Sequence, residues 1–481
     1  MHLTNRKSNF FALMLTMAVC LAAVFGLQPA AAASSFVDDD GREVTVSAPF
    51  ERIISMYSAH TENLYDLGAG DTLIGAHSTS TFPAAAAFLP RYDYNADPEK
   101  VIAADPDLVI IRPFISKRNP EFVEALETAG IQVVSLYPEK FELFDDYFRK
   151  LALLTGNEET AEQILTNFHQ EIQHISDVTA AIPEKQRVFF ESTDTNLRTV
   201  TDDSMAGLAI QLAGGINVAA GAEPTTAGSS IASFGAERIL ENADEIDVYI
   251  SQRGAMNAGG NQHTIRIRPG FQTIKAVQDG RIYVINEKMV SSPNLRFLTG
   301  VREIARYLYP EVMDDLSSWQ TDTSATRRDL ANIIFHADHL PIYTPSSSKY
   351  YEEDHSGHVY GMFEDIPWTD ADFDAIETIV VRGLIELDET GEVERFNPDE
   401  PVTRYDTARA IFISHTFPEP DSAAADSDLS AADHPAFIQA MADFGIMDLN
   451  DGAFEPDRVM TCGEIVDAFL KAQPYLSKEA E

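Results

Sequence analysis

Short apolar runs alternate with amphipathic stretches from Phe36 to about Pro138. In order they are RIISMYS, the helical pattern TENLYDLGAG, TLIGAHS, a helix near PEKVIAADP, DLVIIRPF, a helix over NPEFVEALETAG, and IQVVSLYP. Strands alternating with helices predict parallel βαβ units, and each unbroken apolar run reads as a strand buried on both faces. A longer helical stretch follows from about Phe144 to Ile182, broken only at TGNEE, where Gly156 ends one helix and Asn157 is placed to cap the next. The alternation restarts with RVFFEST, a helix over DDSMAGLAIQLAGG, GAERILENADEIDVYIS, a helix after Pro269 and the strand RIYVINE. It closes with the helix LRFLTGVREIARYLYPEV. The pattern predicts an α/β binding domain over 34–312: two Rossmann-like lobes, about 36–140 and 185–312, joined by a long helix over 143–182.

Beyond Pro310 the texture changes. WQTDTSATRRDLANII and a polar linker around PSSSKYYEEDHSG precede two related blocks, each with helix, Gly turn, acidic turn, Phe-x-Pro and a second helix opened by Thr. This predicts a mainly α-helical repeat module: a partial repeat and linker over 313–345, a full repeat over 346–418 and a degenerate one over 419–481. The acidic turns DETGE and DLNDG lack the alternating ligand pattern of a calcium loop and read as turns.

A chain of 481 residues accommodates about three units of roughly 150 residues. Arg6 and Lys7, the apolar run Phe10 to Leu27, Pro29 and AAAASS predict a secretory signal over 1–33, with the mature chain starting near Ser34. Cys20 lies inside the apolar run behind Val19, which argues against lipid anchoring. The other cysteine, Cys462, has no partner for an internal disulfide. A net charge of −41 argues against nucleic-acid binding. From Pro341 to Glu481 there are 8 basic and 31 acidic side chains, a net of −23, which marks the C-terminal region as a separate module.

Open α/β sheets bind ligands at the carboxyl ends of their strands. The loops there carry Met56, Tyr57, His60, His77, Phe82, Arg112, Phe114, Arg198 and Arg253, with Ser58, Glu191, Gln252 and Met289 beside them. Arginines give planar, multiple-donor recognition of anionic or oxygen-rich ligands, and Tyr57 and Phe114 offer stacking faces. Arg266 and Arg268 stand one step further away. The chain has no G-x-S-x-G, H-E-x-x-H, P-loop or G-x-G-x-x-G motif in the required setting, so an enzyme with a catalytic cofactor is not expected. His60, His77 and His263 are the candidates if the ligand is free zinc or manganese.

The run ERIISMYSAHTENLYDLGAGDTLIGAHS, followed by ADPDLVII, GAERILENADEIDVYI and RPGFQTIKAVQDGRIYVI, resembles the iron-chelate and cobalamin family of periplasmic solute-binding proteins over roughly Phe36 to Glu311. The resemblance implies a class III solute-binding fold and small closure movements. It also implies capture of a ferric siderophore, cobalamin or haem and its delivery to an ABC permease in the cytoplasmic membrane. It assigns permease docking to one outer-surface glutamate per lobe, here Glu62 in TEN and Glu237 in GAERIL. AHSTSTFPAAAAFLP resembles haem-binding members, which carry a Tyr ligand before that Pro; Phe82 stands there and cannot coordinate iron. Met56, Tyr57, His60 and His77 remain as candidate axial ligands. The C-terminal blocks resemble surface-layer homology repeats, whose Thr-Arg-Ala-Glu-like motif contributes to binding a wall polysaccharide. Thr326, Arg327 and Asp329 match it, as do Thr403, Arg404 and Asp406, whereas Thr461 is followed by Cys462 and Gly463. The expected protein is an exported substrate-binding component held at the cell surface. The alternatives are a free-metal binder or a structural wall protein with a vestigial binding domain.

Overall fold

The structure is a computed structural model and describes residues 34–344, 360–361, 363–387, 394–418, 435–450 and 453–476. The signal segment, the PSSSKYYEEDHSG linker and the DETGE turn lie outside the described residues. After a hairpin of β1 (Ser34–Val37) and β2 (Glu43–Val46), the N-lobe is built from β3 (Ile53–Ser55), α1 (Ser58–Asp66), β4 (Leu73–His77), β5 (Arg91–Tyr92), α2 (Glu99–Ile102), β6 (Leu108–Ile111), α3 (Pro120–Thr128) and β7 (Gln132–Ser135). Its sheet is parallel, in the order β5-β4-β3-β6-β7.

Two helices cross to the second lobe, α4 (Phe144–Thr155) and α5 (Glu158–Ala180). Gly156, at φ 72°, closes α4 in the left-handed conformation that glycine adopts without strain. Asn157 does not cap α5 as expected; its side-chain amide turns back to the carbonyl and hydroxyl oxygens of Thr155.

The C-lobe contains β8 (Arg187–Glu191), β9 (Thr199–Val200), α6 (Met205–Leu212), β10 (Ile216–Asn217), β11 (Ile231–Ala232), α7 (Ala236–Glu241), β12 (Val248–Arg253), β13 (Ile282–Asn286) and α8 (Arg296–Leu308). The main sheet is again parallel, ordered β10-β8-β12-β13. The helix expected after Pro269 is only two short turns, Phe271–Thr273 and Lys275–Gln278.

Successive side chains on a strand point to opposite faces, and this divides the interior. Ile53, Leu108, Ile110 and Val134 enter one core, while Ile54, Val109, Ile111 and Val133 enter the N-lobe's outer core. Val188, Phe190, Val248 and Ile250 join the first core, and Phe189 and Tyr249 form the C-lobe's outer one. The first core therefore runs unbroken from the N-lobe past Phe144, Phe148, Leu165 and Phe168 to Val301 and Ile304 of α8. Close-packed interiors transmit displacement instead of absorbing it, so this shared core favours small lobe movements.

The C-terminal module holds α9 (Arg327–Ala337), α10 (Phe373–Val381), α11 (Arg404–Ser414), α12 (Pro435–Asp443) and α13 (Cys462–Ala472). Helices α9, α11 and α13 open with capping boxes, Thr326 with Asp329, Thr403 with Asp406 and Thr461 with Glu464. Their leading segments close a ring: the Ala325 amide donates to the Met460 carbonyl, Met460 to Val402, and Val402 back to Ala325. The three capped segments thus meet at one centre; α10 precedes α11 and α12 precedes α13, whereas the chain reaches α9 from the C-lobe. Cys462 and Gly463 make in the last copy the closing amide bonds that Arg327, Arg328, Arg404 and Tyr405 make in the others. The Cys462 and Gly463 amides donate to Thr323 and Thr321 carbonyls at 3.0 and 2.9 Å, and a Cβ on Gly463 would lie 3.0 Å from the Thr321 oxygen.

Candidate functional site between the lobes

The two sheets approach each other at their carboxyl ends. Lys288, just beyond β13, donates its ammonium to the Thr79 carbonyl after β4 at 2.7 Å, and the Asn63 amide of α1 reaches the Pro293 carbonyl at 2.9 Å. On the N-lobe side Arg112, at the end of β6, lies over the Tyr57 ring at 4.6 Å and the Phe114 ring at 4.9 Å. Phe114 is 46% exposed, a large apolar face left open at this edge. Tyr137 approaches Tyr57 at 6.1 Å between centroids. Burial pushes the Tyr57 hydroxyl far above the usual phenol range, so it remains a neutral donor.

On the C-lobe side Arg253 ends β12 and is exposed, and Arg198 precedes β9. Among the described residues neither these two guanidiniums nor Arg112 has a carboxylate at ion-pair distance. Beneath them the buried Glu191 carboxylate accepts from Tyr249 (2.6 Å), Ser251 (3.0 Å) and Arg268. Arg268, placed off the site by sequence, neutralises this carboxylate and leaves the outer arginines uncompensated.

Several expected ligands are engaged elsewhere. Met56 is buried in the N-lobe's outer core, because it follows Ile54 on the same face of the sheet, and Met289 is buried in the shared core. His60 is fully buried on α1, with Nε2 2.9 Å from the Leu136 carbonyl, and burial pushes its pKa down to about 3. It is a neutral structural histidine. His77 stacks on Tyr94 at 5.6 Å and bonds Thr79, with its pKa lowered by burial. His263 is exposed on the turn Gln262–Ile267. Phe82 leaves the cleft altogether; it packs with Phe373 and joins the core of the C-terminal module.

The expected docking role of Glu62 is corrected. Glu62 is 2% exposed and forks onto Arg296 Nε and Nη2 at 3.0 and 2.9 Å, with Asn294 at 2.6 Å. It lies on the inner face of the N-lobe, where the C-lobe covers it. Glu237, in contrast, is exposed in the first turn of α7, directly before β12. The sheet orders make β6 the counterpart of β12, since each lies between the first strand of its lobe and the last. Its preceding helix α2 opens with the exposed Glu99. The signal was legible, since EKVIAADPDLVI and ERILENADEIDVYI share a Glu, a cation and two apolar positions ahead of an acidic turn and a strand.

The arginines expected to bind wall polymer are likewise occupied. Arg327 donates to the Phe396 and Glu386 carbonyls at 2.8 and 3.0 Å, and Arg404, 6% exposed, to Phe454 and Asp448 at 2.7 and 2.8 Å. Each ties its helix to the turn of the next repeat. Thr326 and Thr403 are spent as helix caps.

Two parallel α/β sheets meeting at their carboxyl ends across long linking helices define a class III periplasmic binding protein fold. Residues 53–289 match the profile of the family described as periplasmic binding protein. An uncharacterized ABC transporter substrate-binding lipoprotein, YvrC of Bacillus subtilis (strain 168), is 23% identical over 286 residues, covering 58% of this chain and 86% of its own. The vitamin B12-binding protein of Vibrio cholerae is 25% identical over 263 residues, covering 54% of this chain and 90% of its own. The periplasmic haem-binding protein RhuT from Roseiflexus sp. RS-1 superposes with a TM-score of 0.46 at 22% identity, over 54% of this chain and 98% of that one. These relatives are solute-binding proteins, not enzymes. No described helix is long and apolar enough to cross a membrane.

Proposed function

We propose that this chain is the extracytoplasmic substrate-binding component of an ATP-driven importer and that its cargo is an anionic metal chelate. The observation that carries the reading is the set Arg112, Arg198 and Arg253 at the carboxyl ends of both sheets, without described carboxylate partners in a chain of net charge −41. Phe114 and Tyr57 supply an apolar, stackable wall beside Arg112. Guanidiniums recognise carboxylate and oxygen-rich groups in a planar, bidentate manner, which suits haem propionates or a ferric carboxylate siderophore better than a charge-neutral corrinoid. The relatives' names supply the wider class. The free-metal alternative loses its support, since His60, His77 and His263 each stand in a separate environment.

Delivery to a permease is assigned to Glu99 and Glu237, exposed at equivalent places on the two lobes. The test of the ligand reading is absorbance and titration calorimetry of the full mature chain against haem, cobalamin and ferric siderophores of different charge. Tight one-to-one binding of an anionic chelate supports it, and binding of none of them refutes it.

Wall attachment belongs to the same reading, and the closed ring of three capped helices favours it. The crevice between α9 and α11, lined by Arg327, Glu386, Asp406 and Arg409, has about 10 Å³ of room, enough for about one water. That crevice does not admit a sugar unit, so the polymer is assigned to the outer surface of the module. Sedimentation with wall fragments, lost when their anionic polymer is stripped, tests this attachment; sedimentation unaffected by stripping contradicts it.

A further inference from the structure

The C-terminal module is seated across both lobes. On the N-lobe, the Trp368 indole N–H donates to Asp66 of α1 at 3.1 Å, and its ring meets Tyr65 edge-on at 5.9 Å. Phe82 packs on Phe373 at 6.5 Å, and Phe82 and Ala84 are members of the module's own core. A Cβ on Gly361 would sit 3.4 Å from that of Ala84. On the C-lobe, Arg306 of α8 binds Glu303, Asp314 and the Phe335 and Leu340 carbonyls, while the Ile342 amide donates to Glu303 at 2.9 Å. Thr299 of α8 bonds Asp374 at 3.4 Å, and Asn286 bonds Thr344 at 3.0 Å.

The two attachments differ in kind. The C-lobe side is a buried network of charge-assisted hydrogen bonds, each roughly twice as strong as a neutral one. The N-lobe side is aromatic packing with a single neutral donor. It is the side that lets go first. Its position matters, because the Arg296 guanidinium of α8 also lies over the Phe82 ring at 4.2 Å while forking onto Glu62. Phe82 is thus held between the C-lobe and the module, and the N-lobe cannot move away from α8 without withdrawing it from both.

We propose that the C-terminal module is an intramolecular clamp. It holds α1 and Phe82 of the N-lobe against α8 of the C-lobe, and it releases the N-lobe whenever ligand leaves the cleft. The small lobe opening that the shared core permits and partial undocking of the module are then one motion, fastened by a third body. The gating of ligand rests on the cleft being the ligand site; the clamping does not.

Two full-chain variants test it. Ala84→Glu puts a charge under the module without altering a cleft residue. Expected is at least a tenfold faster hydrogen exchange over 58–66 and 288–296, with α9, α11 and α13 still protected. Unchanged exchange there, once 366–374 has become accessible, overturns the clamp. Ala84→Cys with Gly361→Cys places two sulfurs within bridging reach. Expected is at least a tenfold slower release of pre-bound ferric chelate when oxidised, reversed by reduction. Equal release in both redox states overturns the gating. Failure of every chelate to bind refutes the ligand reading instead, and the exchange measurement still decides the clamp.

Discussion

Asp66 shows what burial at the lobe–module joint does to a carboxylate. Desolvation, with Glu62 adding repulsion, raises its pKa to about 7 from 3.8, against the lowering effects of the Trp368 donor and the Arg296 charge. The folded protein therefore binds this proton more readily than the unfolded chain. The resulting stabilisation is complete below the unfolded value of 3.8 and is lost as pH rises through about 7. Asp66→Asn keeps an acceptor for Trp368, so the variant should be more stable than wild type at pH 8 and level with it near pH 4. Denaturant unfolding at both pH values checks this, and a pH-independent difference contradicts it. For His60, replacement by Ala should lower stability by about 1–3 kcal/mol through the lost hydrogen bond to Leu136. Ligand affinity should fall far less than for Arg112→Ala in the same calorimetric titration, because the fully buried ring reaches the cleft only through its edge contact with Tyr57. At this scale the sequence identified residue types at strand ends but not their directions. Tyr57 reaches the cleft edge while its neighbour Met56 points into the sheet, a difference of one residue in a period of two. Glu62 had a helix position compatible with the surface, and only the docked C-lobe buries it.

Helices and strands were largely legible because their periodicity is strong. The parallel strands, the linking helices and the capped helices of the repeats all fall where the apolar pattern put them. The failures are local. Asn157 had Thr155 as a nearer partner, and the stretch after Pro269 is too short and Gly-broken for more than single turns. The three Thr-led helices were read as binding motifs, yet the Arg404 guanidinium is spent on the Phe454 and Asp448 carbonyls of the following copy. Arg404→Ala should therefore cost about 2 kcal/mol or more in stability, since two charge-assisted donors, one to the buried Phe454 carbonyl and one to the half-buried Asp448 carbonyl, vanish. Arg395→Ala, which removes an exposed pair with Glu364, should stay within about 0.5 kcal/mol. Thermal unfolding of both variants makes the comparison, and equal losses would contradict the structural role. Glu99 and Glu237, one on each outer layer, remain exposed with the module docked on α1 and α8. Replacing both by Ala should spare chelate binding and abolish uptake in cells; loss of binding would place them in the ligand site instead.

The whole molecule has one core shared by two lobes and a repeat module closing over their joint. The acidic composition of the C-terminal region suggested a separate unit, but Phe82 and Ala84 of the N-lobe belong to that unit's core. No local pattern announced this, because a Phe before Pro in a loop looks the same whether it faces a ligand or another domain. In this strongly acidic chain, Arg112, Arg198 and Arg253 at the strand ends have no described carboxylate at ion-pair distance. The most direct test is therefore calorimetric titration of wild-type and Arg112→Ala full chain with an anionic ferric carboxylate chelate and a charge-neutral ferric chelate. Tight one-to-one binding of the anionic chelate, weakened about tenfold or more in the variant while the neutral one binds poorly to both, is the predicted result. Equal affinity for the two chelates, or an anionic affinity indifferent to Arg112, would contradict it.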